Sequence, residues 1–464
     1  MNGSNADEFD LIVIGAGSGA TVSAAAAEAG WKVAVIDSGP FGGTCLNRGC
    51  IPSKMLVHVA DVARTIRHAD RFGITASIEQ IDWPRIVQRV FADIDHEAEQ
   101  IEEANRAAPN VTVLKGEARF DGGPRRLTID GRTVEGRSVV IAAGSRPATL
   151  PIPGLDEVTV HTTDDVMRLA QLPRRLAIVG GGFVTAELGH FFRELGTEVT
   201  IIARGDGLLN DEDHDIAARF TGVFQRRFDL RLGTEIKSAR RDGDETVLQL
   251  DGPAAAGKES GELRVDALLV ATGRVPNTDV LGAREAGIEL DEAGFVKTDE
   301  FLHASAEGVW ALGDIVGEYL LKHSANLEAA HVAHNLLNPH ELVAVDYHAM
   351  PHAVFASPQI GSVGVTEREA KESGRPFVVG SYEYDDTAYG SSIEDHDGFV
   401  KVLADPETRE ILGVHILGVD ASTLIQGPAT LMRSHAKVDV IQRAIFVHPA
   451  LPEVIQRAFG QLEL

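Results

Sequence analysis

The stretch FDLIVIGAGSGATVSAAAAEAGWKVAVIDSG, residues 9–39, decides the fold. An apolar run ends in a turn carrying Gly15 and Gly17, a helix of small residues follows, and a second apolar run closes on Asp37. This order is that of a βαβ unit holding a dinucleotide. Gly15 permits the tight turn, Gly17 lets the backbone approach a pyrophosphate, and Ala20 is small enough for close helix–strand packing. The helix N-terminus presents partial positive charge to phosphate, and Asp37 stands where a carboxylate bonds ribose hydroxyls. A glycine turn that serves packing alone is the competing reading, and a single such signature does not exclude it.

The grammar recurs in RRLAIVGGGFVTAELGHFFRELGTEVTIIARG, residues 174–205, with Gly180 and Gly182 in the turn. Thr185 stands where a smaller residue is usual, so looser packing is expected there. The second strand ends in Ala203 and Arg204 without a carboxylate; an acid would repel a 2′-phosphate, whereas an arginine invites one. NADPH is therefore expected over NADH, with a solvated strand-end arginine as the bland alternative. Matched strands ending in a small-residue turn and a proline, VVIAAGSRPATLPIPG (139–154) and ALLVATGRVPNTDVLG (267–282), mark the exit from each unit.

The expected class is α/β, with two Rossmann-like dinucleotide-binding domains, the second inserted into the first, and a C-terminal α+β domain. The boundaries are 1–150 with 274–345, then 151–273, then 346–464. Residues 84–108 read as a long helix, and segments beyond 346 read as an antiparallel sheet with helices.

The only two cysteines, Cys45 and Cys50, lie five positions apart in GGTCLNRGCIPSK, residues 42–54, directly after the first nucleotide signature. A dithiol beside a redox cofactor can exchange electrons with it, whereas the glycines and Pro52 argue against two buried hydrophobes. Pro52 suits the first turn of a helix, which places Cys50 at a helix N-terminus, where a thiol ionises more readily. A loop bent at Gly49 is expected to bring the sulfurs together. Arg48 either adds charge there or faces water.

Near the end, FVHPALPEVIQRAFGQL places His448 before a proline and Glu453 in the first turn of a helix, an acid–base pair in reach of each other. With seventeen histidines in the chain, that pairing is weak evidence alone.

Hydrophobic content of 44% and charged content of 24% are those of an ordinary globular protein, too long at 464 residues for a single core. The formal charge of −26 disfavours nucleic acid and anionic membrane as partners. The opening MNGSNADEFD lacks a basic start and an apolar run, so a disordered lead-in is expected rather than a signal peptide. A reducing compartment, the cytoplasm, suits a dithiol that cycles. No metal site is expected.

Together these elements resemble the flavin-dependent pyridine nucleotide–disulfide oxidoreductases over nearly the whole chain, and GGTCLNRGCIPSK is their most specific motif. Within that family YLLKHSANLEAAHVAHNLL (319–337), AVFASPQIGSVGVTE (353–367), DTAYGSSIEDHDGFVKV (386–402) and HPALPEV (448–454) look most like the branch that reduces the disulfide of mycothiol. The resemblance implies FAD and NADPH as cofactors. It implies FAD contacts at Gly15, Gly17, Asp37, Thr44, Lys54, Ala118, Gly144, Ser145, Asp314, Leu320 and Leu321, with the 320–323 stretch near the ring. For the nicotinamide dinucleotide it implies Gly180, Gly182, Phe183, Glu187, Arg204 and Gly273. Lys54 is implied to pair with Glu187 by the flavin, and Phe183 to gate the nicotinamide pocket. Cys50 is the implied flavin-side thiol and Cys45 the one that attacks a small disulfide substrate. His448, oriented by Glu453, protonates the departing thiol across a homodimer with shared active sites. NADPH-specific relatives often carry two arginines; here Asn210 stands near the second position. An NAD-linked dihydrolipoamide dehydrogenase and a non-catalytic flavin-binding sensor are the rival readings.

Overall fold

The computed structural model describes residues 6–253 and 261–464, and the chain divides into two compact units. The first comprises Met1–Ser53, Pro84–Ala148 and Arg274–Tyr347; the second comprises Lys54–Trp83, Thr149–Gly273 and His348–Leu464. The stretch 54–83, placed by sequence with the first nucleotide domain, belongs to the second unit. That unit also takes in both the inserted segment and the C-terminal one.

In the first unit the strands Val111–Lys115, Val33–Asp37, Asp7–Ile14 and Arg132–Ile141 lie side by side and parallel, with Val309–Ala311 added against the last. Arg126–Ile129 and Ala118–Phe120 extend the sheet as an antiparallel meander. The lead-in is shorter than the sequence implies, because strand begins at Asp7 through pairing with Val134; residues 1–5 lie outside the described residues. Alternation along the central strand feeds two cores. Leu11 and Val13 pack with Val22 and Ala26 of the helix Gly19–Glu28 and with Val332 and Ala333 of the helix Lys322–Leu337. Ile12 and Ile14 face Leu127, Ile129, Leu281 and Val296. Both faces are covered, which is why the strand reads as a continuous apolar run. The long helix spans Trp83–Ala107.

In the second unit Asp229–Arg231, Glu198–Ile202, Arg175–Val179, Ala267–Val270 and Val160–His161 form a parallel sheet in that order. A three-stranded antiparallel sheet, Glu235–Asp242, Glu245–Asp251 and Glu262–Val265, accompanies it. The C-terminal part is a five-stranded antiparallel sheet ordered Pro351–Val354, Gln359–Gly364, Ile411–Gly418, Phe399–Ala404, Val378–Glu383. The helix Glu453–Gly460 packs on its core through Val454, Ile455, Ala458 and Phe459. No described helix is long and apolar enough to cross a membrane.

Candidate functional site

In the first unit the glycine turn, the end of the second strand and the thiol segment converge. Gly15 has φ +106°, and a Cβ there would stand 2.2 Å from the Ala142 carbonyl oxygen, so no side chain fits. Asp37 secures the turn, accepting from the Ala16 N–H at 2.7 Å and the Gly39 N–H at 2.8 Å. Each carboxylate oxygen keeps a lone pair for a ribose hydroxyl. Close packing of helix on strand is the work of Gly19 rather than Ala20. A Cβ at Gly19 would meet Val13 and Ala142 at 2.8 and 2.9 Å, whereas Ala20 is only half-buried.

Cys45 lies not in a loop but inside a short helix, Gly43–Arg48, and Cys50 opens the next helix, Cys50–Arg67. Gly49 separates them, and a Cβ on it would press 2.9 Å from the Thr44 carbonyl oxygen and 3.2 Å from the Cys45 Cα. The two half-buried thiols contact one another: a hydrogen bond with Cys50, then burial, push the Cys45 thiol well above its ordinary value, and Lys322 pulls the other way. The Arg48 guanidinium reaches Gly39, beyond the end of the Asp37 strand: a Cβ on Gly39 would lie 3.6 Å from it. Asn47, buried, braces the short helix by donating to the carbonyls of Phe41 and Gly43, both at 2.9 Å.

The thiol helix sits directly on the glycine turn. Gly43 has φ +69°, and a Cβ on it would come within 2.8 Å of the Gly17 Cα. Gly17 and Gly43 thus form a cradle that a single methyl group would fill, which suits the close backbone approach a pyrophosphate requires. The residues present therefore fit FAD. Gly43→Ala is expected to leave most protein purified without flavin, read as the ratio of flavin to protein absorbance; a full complement would show that the cradle is not used.

Farther along the same unit, Ser145 donates to Asp314 at 2.6 Å, while Arg274 donates to the Ser145 hydroxyl and carbonyl, both at 2.7 Å. Gly313, in the turn before Asp314, donates to Glu328 at 2.5 Å, and the Tyr347 hydroxyl donates to the same carboxylate at 2.9 Å. Burial pushes the Glu328 carboxyl up. Gly144 has φ +64° and accepts from the Asn277 N–H at 3.1 Å. Ala118 is buried in the core, and Leu321 caps the helix that begins at Lys322, with Leu320 partly exposed before it. Arg274, Glu328 and Tyr347 were missed by sequence reasoning, because their partners lie far along the chain; only Arg274, beside Gly273 in a quoted motif, left a local sign.

In the second unit Gly180 repeats the arrangement of Gly15: a Cβ would stand 2.2 Å from the Ala271 carbonyl oxygen. Thr185 is fully buried rather than loosely packed, because the residue it faces is Gly180, whose Cβ would lie 3.0 Å from its hydroxyl. Gly182 caps the helix Phe183–Glu194, and Phe183 is exposed at its start. Gly273, with φ +119°, lies three residues beyond the strand Ala267–Val270. Ala203 is buried, Arg204 is exposed, and Asn210 folds against the 205–207 loop, within about 3 Å of where Cβ atoms on Gly205 and Gly207 would stand.

Lys54 and Glu187 form a two-pronged ion pair at 2.9 and 2.7 Å. Glu187 is buried and also accepts from the Phe355 N–H at 3.0 Å, and the ammonium sits 4.8 Å over the Phe355 ring. His448 presents Nδ1 to Glu453 at 2.9 Å, while the other carboxylate oxygen accepts from the Ala450 N–H at 3.1 Å. The His448 hydrogen bond, then that of Ala450, hold the Glu453 carboxyl below its ordinary value. The imidazole itself is 72% exposed, with Ile445 and Val447 standing out beside it.

Comparison with known proteins follows the same outline. The family described as pyridine nucleotide-disulphide oxidoreductase matches residues 9–335, and its dimerisation domain matches residues 350–459. The chain is 41% identical over 462 residues to mycothione reductase of Mycobacterium tuberculosis, covering 97% of this chain and 99% of that protein. It is 34% identical to dihydrolipoyl dehydrogenase 3 of Haloarcula marismortui, covering 97% and 95%, and 32% identical to glutathione reductase of Burkholderia cepacia, covering 96% and 97%. The HOCl-induced flavoprotein disulfide reductase RclA of Escherichia coli, solved as a Cu(II) complex, is 27% identical, with a TM-score of 0.86 over 98% of this chain and 99% of that one.

Proposed function

This chain belongs to the pyridine nucleotide-disulphide oxidoreductases, and from that premise we propose that it is a homodimeric NADPH-dependent reductase of a small thiol disulfide, oxidised mycothiol. That it is a flavoprotein oxidoreductase using FAD and NADPH follows from membership. The substrate rests chiefly on one observation: identity to the mycothione reductase is 41%, against 34% to the Haloarcula dihydrolipoyl dehydrogenase and 32% to the Burkholderia glutathione reductase. The buried Ala203 and exposed Arg204 support NADPH, since no carboxylate opposes a 2′-phosphate. We assign residues 1–150 with 274–345 to FAD, 151–273 to NADPH and 346–464 to the dimer interface.

Bound FAD supplies a relay for two electrons between NADPH and the thiol pair. The chain's own residues do the rest. The Cys45 sulfur attacks one sulfur of the substrate, forming a mixed disulfide and expelling one thiolate, which His448 protonates. Cys50 then attacks Cys45, expelling the second thiol and restoring the Cys45–Cys50 bond. The sum is one NADPH and one proton consumed for two thiols released. Because the Cys50 contact resists ionisation of Cys45, the attack needs a base, and the His448–Glu453 pair suits that task. We place His448 at the thiol pair of a second copy: its exposure, with Ile445 and Val447 beside it, is what a partner subunit would cover. A thiol pair that must cycle suits the cytoplasm.

Steady-state assays decide the substrate. NADPH with oxidised mycothiol is expected to turn over faster than NAD with dihydrolipoamide, and the reverse order would overturn the assignment in favour of a dihydrolipoyl dehydrogenase.

A further inference from the structure

The loop 203–212 leaves the strand Glu198–Ile202, carries Arg204 and leads to the helix His214–Arg227. On one side the Leu209 N–H donates to the carbonyl of Gly181, in the middle of the glycine turn, at 2.7 Å. Leu209 is buried with φ +55°, a left-handed conformation that leucine adopts only where its surroundings enforce it. Its carbonyl accepts from the Glu212 N–H at 2.9 Å, which ties the strained residue to Glu212. The Glu212 side chain is buried in turn. One of its carboxylate oxygens accepts from His352 Nε2 at 2.7 Å and the other from the Ser362 hydroxyl at 2.9 Å. His352 and Ser362 stand directly opposite one another on the paired antiparallel strands Pro351–Val354 and Gln359–Gly364, so the two donors form a fixed socket.

Resting on the NADPH reading, we propose that Glu212 is a positioning residue for nucleotide selectivity, through which the C-terminal sheet holds the loop 203–212 in the shape that receives a 2′-phosphate. The loop is otherwise ill suited to an anion, since Asp206, Asp211, Glu212 and Asp213 follow closely on Arg204. The fold withdraws two of these acids: Glu212 enters the His352–Ser362 socket, and Asp213 pairs with Lys401 at 2.8 Å. Asp206 and Asp211 stay exposed, where water and salt screen them. Released from the socket, the Glu212 carboxylate would return to a loop no longer pinned from the C-terminal side. Both changes weigh against a phosphate, whereas NADH carries a neutral hydroxyl there and is indifferent to the charge.

The test uses the full-length holoenzyme and follows flavin reduction anaerobically, so that no thiol substrate enters it. His352→Leu is expected to raise the NADPH concentration giving half the limiting rate about tenfold, the order of effect of losing one charge-assisted hydrogen bond. The limiting rate itself should be kept, and the corresponding concentration of NADH should stay within about twofold of wild type. His352→Gln, which can still donate to Glu212, should stay near wild type with both nucleotides. Ser362→Ala is expected to raise the NADPH value about threefold and serves if the leucine form folds poorly. A merely structural role would weaken both nucleotides alike or neither, and either result overturns this inference alone. Wild-type enzyme that takes NADH as readily as NADPH overturns the cofactor reading, and this inference with it.

Discussion

Cys45→Ser and Cys50→Ser are each expected to lower disulfide reduction by at least about 10³-fold in kcat, since each removes a sulfur that must form a bond during turnover. The two losses should be as large singly as together, because the thiols act as one unit. Transfer of electrons from NADPH to a dye such as ferricyanide needs no thiol and should survive. That contrast separates a broken thiol relay from a misfolded protein or a lost cofactor. The variants should differ in one respect. Cys45→Ser retains the thiol at the N-terminus of the helix Cys50–Arg67, whereas Cys50→Ser retains a thiol freed from the contact that opposes its ionisation. Alkylation of Cys45 in the Cys50→Ser protein is therefore expected at lower pH than in the reduced wild type. Disulfide turnover that persisted in either variant would remove the basis of the proposed function.

What could be read from the sequence was what chemistry keeps local. The turn around Gly15 and Gly17, its counterpart at Gly180 and Gly182, and the run Gly42–Lys54 each place their constraint within a few residues, so type and spacing suffice. His448 and Glu453 are five apart, and Pro449 and Pro452 between them dictate a geometry that brings the two together. The errors came where spacing was asked to stand for packing. Ala20 occupies the expected small-residue position, but the neighbouring Gly19 is the one pressed against Val13. Cys45 was expected in a loop, yet two glycines with positive φ, Gly42 and Gly43, start a separate helix there, and Gly49 ends it. Residues whose role depends on distant partners left little trace: Arg274, marked only by its place beside Gly273, reaches Ser145 across 129 positions, and Lys54 reaches Glu187 across 133. The second of those was accessible only through resemblance to a family.

Lys401 is the clearest case of such a hidden group, and its replacement carries the largest stability effect expected in the molecule. It lies on the strand Phe399–Ala404, almost fully buried, with its ammonium 2.8 Å from Asp213, 2.7 Å from Asp215 and 2.6 Å from Glu367. Asp213 has no exposed surface. It caps the helix His214–Arg227 through the Asp215 N–H and accepts from the Glu367 N–H at 3.0 Å. Burial alone would push its carboxyl up, but the hydrogen bonds from Lys401 and the Glu367 N–H hold it below the ordinary 3.8. Asp215 is lowered chiefly by Lys401, and Glu367 by Lys371 and then Lys401. Lys401 is itself raised, its three carboxylates outweighing the burial that would lower it. Lys401→Met keeps the stem and removes the charge, leaving Asp213 buried without a counter-ion. The expected cost is about 3–5 kcal/mol, a fall of roughly 10 °C in the Tm of the second unit.

The sign of the pH dependence follows from the direction of the shifts. The three carboxyls are depressed in the folded state, so their contribution is present above ordinary values of 3.8 and 4.5 and is lost as pH falls through the folded values. The raised lysine contributes fully below its ordinary 10.5 and loses that contribution only as pH rises through its folded value. The gap in Tm between wild type and Lys401→Met should therefore be widest from about pH 6 to 9 and narrow on acidification, first as the buried, unpaired Asp213 of the variant takes up a proton above its ordinary value and then, below about pH 4, as wild type surrenders its ion pairs. Calorimetric scans across that range would measure it. A gap under about 2 °C at pH 7, or one that does not change on acidification, would mean that Lys401 holds the Asp213 capping turn by packing alone and that its charge contributes nothing.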